Sequence, residues 1–185
     1  MAETDHKNKK NLSFHSGYIA IIGRPNVGKS TLLNRILGEK VAIVSPKPQT
    51  TRNRITGICT KDSSQIIFLD TPGIHQGHSL INRRLMDTAL QTLDEVDGVL
   101  WLLDAHDKIK QEEERIAETL RGVQTPVLIL LNKIDLVSKS KLLPLIEHCA
   151  RLLPEKEIVP VSALRGEGVN LVLELVEGWL PEGPR

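Results

Sequence analysis

Residues 18–22, Tyr-Ile-Ala-Ile-Ile, form an apolar run of strand length, and Gly23-Arg24-Pro25-Asn26-Val27-Gly28-Lys29-Ser30 follows it without a spacer. Residues 31–37 then read as helix. A strand, a glycine-rich turn and a helix in immediate succession commit the chain to a βα unit with a phosphate cradle at its bend. Gly23 and Gly28 let backbone N–H groups turn inward, and the helix N-terminus adds a favourable field for an anion. The spacing makes Gly23, Asn26, Val27, Gly28, Lys29, Ser30 and Thr31 the candidate phosphate-binding residues. Lys29 can reach the β- and γ-phosphates of a nucleoside triphosphate, and the Ser30 hydroxyl can ligate Mg²⁺.

Two further segments suit the metal and the terminal phosphate. Ser45-Pro46-Lys47-Pro48-Gln49-Thr50-Thr51-Arg52 has two prolines and little apolar content, which predicts a loop. A threonine there can give its hydroxyl to Mg²⁺ and its N–H to a γ-phosphate, contacts that disappear on hydrolysis; Thr51 is favoured, with Thr50 as the alternative. The apolar run 66–69 leads into Asp70-Thr71-Pro72-Gly73. Asp70 then sits at the carboxyl end of a strand, where ligands bind in open α/β sheets, and can hold Mg²⁺ through a water. Gly73 offers a backbone N–H to the γ-phosphate. Ser30, Thr51 and Asp70 are the expected metal ligands.

Asn132-Lys133-Ile134-Asp135 follows another apolar run, 127–131. Guanine presents its N1–H and N2–H donors side by side, and the Asp135 carboxylate can accept both. Adenine lacks that pair and would leave a partly buried charge unpaired, a difference worth roughly 10⁴-fold in discrimination. Lys133 can lay its aliphatic stem on the base, and Asn132 can tie the base loop to the phosphate loop. Ser162-Ala163-Leu164, after the last apolar run, would complete the pocket, with the Ala163 N–H aimed at O6 of the base.

The runs 18–22, 66–69, 99–103, 127–131 and 158–161 alternate with helical segments, the pattern of an α/β domain. Several are apolar at nearly every position, as strands buried on both faces of a parallel sheet must be. Residues 55–60 mix polar and apolar side chains and are joined to 66–69 by Asp62-Ser63-Ser64, which predicts one antiparallel edge strand. Leu142, Leu145, Ile146, Cys149, Leu152 and Leu153 fall at helical spacing, as do Val169, Val172, Leu175, Val176 and Trp179. Gln111-Glu112-Glu113-Glu114 opens a further helix, its acidic first turn matched to the dipole, and Gly122 ends it. At 185 residues with 40% hydrophobic content, the chain holds one core and is too short for two ordinary domains. Residues 1–16 are expected to be a disordered tail and 17–185 the globular domain. Lys plus Arg (24) nearly balances Asp plus Glu (23), so no global field favours nucleic acid or an anionic membrane. Cys59 and Cys149 lack metal-ligand spacing and read as buried, reduced thiols, which favours a cytoplasmic location. The basic tail could touch RNA or lipid head groups, which leaves peripheral contact with the inner membrane open, but a solvated arm is the favoured reading for so few charges.

Gly23-Arg24-Pro25-Asn26-Val27-Gly28-Lys29-Ser30, Pro48-Gln49-Thr50-Thr51-Arg52-Asn53-Arg54, Asp70-Thr71-Pro72-Gly73-Ile74 and Leu180-Pro181-Glu182-Gly183 together resemble the Era-type GTPases of the TrmE–Era–EngA group. The Pro-Gln-Thr-Thr-Arg stretch is the most specific of these, and the resemblance covers 18–185. It implies a P-loop NTPase fold of the Ras-like G-domain kind: a three-layer sandwich around a mostly parallel six-stranded sheet with one antiparallel edge strand. It also implies GTP binding and hydrolysis with Mg²⁺. In such proteins a C-terminal KH domain binds the 3′ end of 16S ribosomal RNA and supports assembly of the 30S subunit. The Gly-x-x-Gly loop of a KH domain is absent from these 185 residues, so RNA binding by this chain itself is not expected.

Ras-like enzymes carry a water-positioning Gln immediately after the glycine of the third motif, where this sequence has Ile74. Some members of the group use K⁺ held by the asparagine of the phosphate loop, here Asn26, and others an arginine finger; the alternative for Asn26 is that it only shapes the loop. Gln76, His75 and His78 are weaker candidates for orienting water. Lys29, Thr51, Gly73 and Asn26 are therefore the candidate catalytic residues. The leading expectation is a slow GTPase switch. Its competitors are a GTP/GDP sensor that scarcely hydrolyses, another GTPase of the same group, and an ATP-using P-loop enzyme, against which Asp135 argues.

Overall fold

A computed structural model describes residues 13–38, 54–70, 93 and 95–183. Among these the elements run β1 (His15–Ile22), α1 (Lys29–Leu37), β2 (Arg54–Thr60), β3 (Ser64–Asp70), β4 (Gly98–Asp104), α2 (Gln111–Arg121), β5 (Val127–Asn132), a 3₁₀ turn (Ile134–Leu136), α3 (Lys139–Leu152), β6 (Glu157–Val161) and α4 (Val169–Glu177). The strands form one sheet in the order β2-β3-β1-β4-β5-β6. β2 pairs antiparallel with β3 at the edge, and the other four pairings are parallel. The α/β sandwich with one antiparallel edge strand is thus as expected.

The apolar runs work because alternate residues feed opposite cores. Trp101, Leu103, Ile129 and Leu131 pack with Ile116 and Leu120 of α2 and Cys149 of α3. Leu100, Leu102, Leu128 and Leu130 pack on the other face, with Leu32 of α1 and Val169, Val172 and Val176 of α4. Each such buried side chain contributes roughly 1.5–3 kcal/mol of transfer free energy. Every residue of β5 is buried, so a polar substitution there would face an apolar layer on either side.

One expected boundary shifts. The tail was assigned to residues 1–16, yet His15 and Ser16 already belong to β1. The His15 N–H donates to the Ser63 carbonyl at 3.0 Å, the Ser16 N–H to Pro181 at 3.1 Å, and the Gly183 N–H to Phe14 at 2.9 Å. The closing segment therefore supplies backbone partners that extend the strand, a long-range contact invisible to local pattern. Residues 1–12 lie outside the described residues.

Strand register sets the functional end. Ile21 lies opposite Asp70, Asp104 opposite Asn132, and Asn132 opposite Val161. The loops after β1, β3, β4, β5 and β6 consequently leave the sheet along one carboxyl edge, where a ligand of an open α/β sheet is bound.

Candidate nucleotide site

The phosphate loop bends at two glycines whose backbone other residues adopt only under strain. Gly23 has φ +145°, and a Cβ there would stand 2.6 Å from the Leu102 carbonyl oxygen. Gly28 has φ +104°, and a Cβ would collide with the Asn132 side-chain amide. Asn26 is left-handed as well, at φ 64°, a conformation that asparagine tolerates better than most residues. The Lys29 ammonium donates to the carbonyls of Gly23 at 2.6 Å and Arg24 at 2.9 Å, so the loop itself fixes where that charge stands.

The two loops expected to hold the base are joined to this loop through Asn132. Its side-chain amide is buried, donates to the Val27 carbonyl at 2.8 Å and accepts the Ala163 N–H at 2.9 Å. One residue thereby spans all three loops. The Ala163 N–H, expected to face O6 of the base, donates here to the Asn132 side-chain carbonyl. Lys133, left-handed at φ 68°, donates from Nζ to the Asn26 carbonyl at 2.7 Å and to Asp104 Oδ2 at 2.5 Å. Asp135 accepts the Ser162 hydroxyl at 2.7 Å, and that hydroxyl accepts the Arg165 N–H at 3.1 Å. With its side chain 6% exposed and an oxygen 4.0 Å from Arg165 Nε, the Asp135 carboxylate is aimed by neighbours on both sides.

Three participants were not anticipated from the sequence. Asp104 ends β4 in register with Asn132 and holds Lys133, a placement that the strand run followed by a carboxylate could have suggested. Arg35, on α1, donates to the carbonyls of Ala163 at 3.2 Å and of Leu164, pinning that loop to α1. Arg24 is buried and pairs with Glu113 at 2.5 Å and Asp107 at 3.2 Å. Burial opposes its charge, but the bonds to Glu113 and Asp107 outweigh that and raise its pKa. Asp107 in turn is held down to about 2 by Lys110, with help from Arg24 and the Lys108 N–H.

Ser30 and Lys29 line a cavity of about 70 Å³ with Ile21, Leu33 and Thr56. That volume admits more than one water, as a Mg²⁺ that retains hydration requires. Ser30 on α1 and Asp70 at the end of β3 are hard oxygen donors, and no group of three or more His, Cys, Asp or Glu side chains able to hold a metal occurs among the described residues. The Ser30 hydroxyl beside Lys29 in this cavity fits an ion bound chiefly through waters and phosphates. The β3 backbone places Asp70; Thr51, Gly73, Ile74, His75, Gln76 and His78 lie outside the described residues.

Comparison with known proteins agrees with this geometry. The family model described as 50S ribosome-binding GTPase matches residues 18–133. GTPase Era of Geotalea uraniireducens is 54% identical over 171 residues, covering 92% of this chain and 58% of that protein, and GTPase Era of Geobacter metallireducens is 52% identical over the same length. A crystal structure of Era in complex with MgGDPNP and nucleotides 1506–1542 of 16S ribosomal RNA superposes with a TM-score of 0.75 at 40% identity, over 93% of this chain and 59% of that one. An Aquifex aeolicus Era variant bound to GDP·AlF₄⁻ gives 0.70 at 39% identity, over 92% and 59%. The chain thus spans just under three-fifths of the length of these relatives.

Proposed function

The chain belongs to the family of 50S ribosome-binding GTPases, where it is Era-like, and we propose that it is a guanine-nucleotide switch that binds GTP with Mg²⁺ and hydrolyses it slowly to GDP and phosphate. The observation that carries this reading is Asn132, which joins the phosphate loop to the loop whose Ser162 orients Asp135. Phosphate recognition and guanine recognition are thereby built into one hydrogen-bonded unit.

Transfer of the γ-phosphoryl group to water depends on positioning and charge stabilisation. Lys29, held by the Gly23 and Arg24 carbonyls, neutralises negative charge on the phosphates. Bound Mg²⁺, for which Ser30, Asp70 and Thr51 are the residues that would hold it, supplies Lewis-acid charge to the phosphate oxygens. Thr51 and Gly73 contribute N–H groups to the γ-phosphate in this reading. The base is held by Asp135 and the stem of Lys133, with Ser162, Ala163 and Leu164 forming the pocket wall. Because Ile74 replaces the usual glutamine, charge supplied by K⁺ beside Asn26 is the proposed accelerator.

Era solved with nucleotides of 16S ribosomal RNA supports, for an Era-like protein of that full length, a role in 16S maturation and 30S subunit assembly. Among the described residues no helix is long and apolar enough to cross a membrane. We place the protein in the cytoplasm, with contact at the inner membrane limited to its periphery; the two buried free thiols agree with a reducing compartment.

The test is single-turnover phosphate release from Mg·GTP in KCl and in NaCl at equal ionic strength. Faster release in KCl supports the whole reading. Equal, measurable release in both keeps the GTPase and removes K⁺. Tight binding with no release in either would refute hydrolysis by this chain and leave a GTP/GDP sensor.

A further inference from the structure

An arginine inside a phosphate loop would ordinarily be assigned to the phosphates. Arg24 is committed elsewhere. Its Nε donates to Glu113 Oε1 at 2.5 Å and its Nη2 to Asp107 Oδ2 at 3.2 Å. Both members of the first pair are inside the protein, with side chains 10% and 2% exposed. Glu113 uses its other oxygen to accept the Lys110 N–H at 2.6 Å, capping α2, and Asp107 is held by Lys110 Nζ at 2.7 Å. The carboxylates facing Arg24 are therefore rigidly mounted on the first turn of α2 and the loop before it.

Arg24 has a second attachment. Its own carbonyl, with that of Gly23 next to it, receives the Lys29 ammonium. A side chain anchored at its far end, on a residue whose backbone cradles the phosphate-binding lysine, constrains that cradle. We propose that Arg24 is a positioning residue: its buried pairing with Glu113 fixes the two carbonyls that set the place of Lys29 against the nucleotide phosphates. The inference rests on the nucleotide-binding reading above and adds to it a structural dependence of phosphate chemistry on α2.

A buried ion pair can also be mere scaffold, and replacing both partners by apolar residues of similar volume is often neutral or stabilising. That property separates the two roles. The double variant Arg24→Met/Glu113→Leu should stay folded, its urea midpoint lowered only by the lost Glu113 cap on the Lys110 N–H, yet hydrolyse saturating GTP about tenfold more slowly and bind GDP about tenfold more weakly, since small misplacements of charged groups cost this much or more. Arg24→Lys, which keeps the charge opposite Glu113, should retain at least about half the wild-type rate on the same reasoning. A stable double variant with wild-type rate and GDP affinity would overturn the inference. Should the double variant fail to fold, Glu113→Gln decides: it preserves volume but leaves one acceptor oxygen for two donors, Arg24 Nε and the Lys110 N–H; a wild-type rate and GDP affinity in it, or a loss that Arg24→Lys shares, overturn the proposal, while a loss that Arg24→Lys does not share supports it. GDP affinity keeps the readings apart, because a wild-type chain that binds GDP but releases no phosphate refutes hydrolysis and leaves the positioning test intact.

Discussion

Truncating Asn132 to alanine tests the joint between the phosphate and base loops. Asn132 is 2% exposed, and its two partners, the Val27 carbonyl and the Ala163 N–H, belong to residues 1% and 2% exposed. Water cannot readily replace the lost amide, so each orphaned group costs about 1–3 kcal/mol, or roughly 2–6 kcal/mol for the pair. Domains of this size are stable by only about 5–15 kcal/mol, so Asn132→Ala should remove a large fraction of the total. Gly28 sharpens the expectation: its missing side chain leaves the space that the Asn132 amide fills, and the alanine leaves that space empty. Urea unfolding of the nucleotide-free protein gives the stability term, and titration with a fluorescent GDP analogue the functional one. Affinity should drop at least about tenfold, equivalent to about 1.4 kcal/mol, because three loops lose their common reference. Asn132→Asp keeps the acceptor for Ala163 but sets a carboxylate against the Val27 carbonyl, and it should weaken binding too. A stability loss below about 1 kcal/mol together with unchanged affinity would refute the reasoning, since both orphaned groups would then have found other partners.

Asp135→Asn should shift preference from GTP toward xanthosine triphosphate, since an amide offers one acceptor and one donor where guanine needs two acceptors; equal GTP affinity in competition titrations would remove Asp135 from the base site. Asp107 has a folded pKa of about 2, below its ordinary 3.8, so its contribution to stability is complete above the unfolded value and is lost as pH falls from about 4 toward 2. Asp107→Asn should flatten that part of a urea-midpoint-versus-pH curve, and identical slopes would contradict the Lys110 and Arg24 contacts. Burial pushes the Cys149 thiol up to about 11 and raises that of Cys59 also, so neither should react with a thiol reagent at neutral pH until the protein is unfolded. Rapid labelling of the native chain would show that those faces open.

What the sequence disclosed and what it concealed follow from the range of the interactions. Gly23, Gly28, Lys29, Asn132 and Asp135 are recognisable because each function is written in a few adjacent residues next to an apolar run, and the run itself puts them at a strand's carboxyl end. All six strands were legible for the same reason, including the polar-apolar mixture of β2. The pair Arg24–Glu113 spans 89 positions, Arg35–Ala163 spans 128, and Asp104–Lys133 spans 29. No local period marks such partners, since their meeting depends on which helix covers which face of the sheet. Glu113 illustrates the limit. Its place in the first turn of α2 suits the helix dipole, but the same carboxylate accepts the Lys110 N–H, is 1% exposed and also balances an arginine of the phosphate loop. A charge that satisfies helix propensity locally was free to be recruited globally, and it couples α2 to the site at no cost in local structure. Ala163 shows the converse: the motif Ser162-Ala163-Leu164 stands in the sequence by itself, while the acceptor of the Ala163 N–H, Asn132, lies 31 residues away. Sequence motifs thus pick out the groups proposed to touch a nucleotide, and the fold determines the groups that hold them in place.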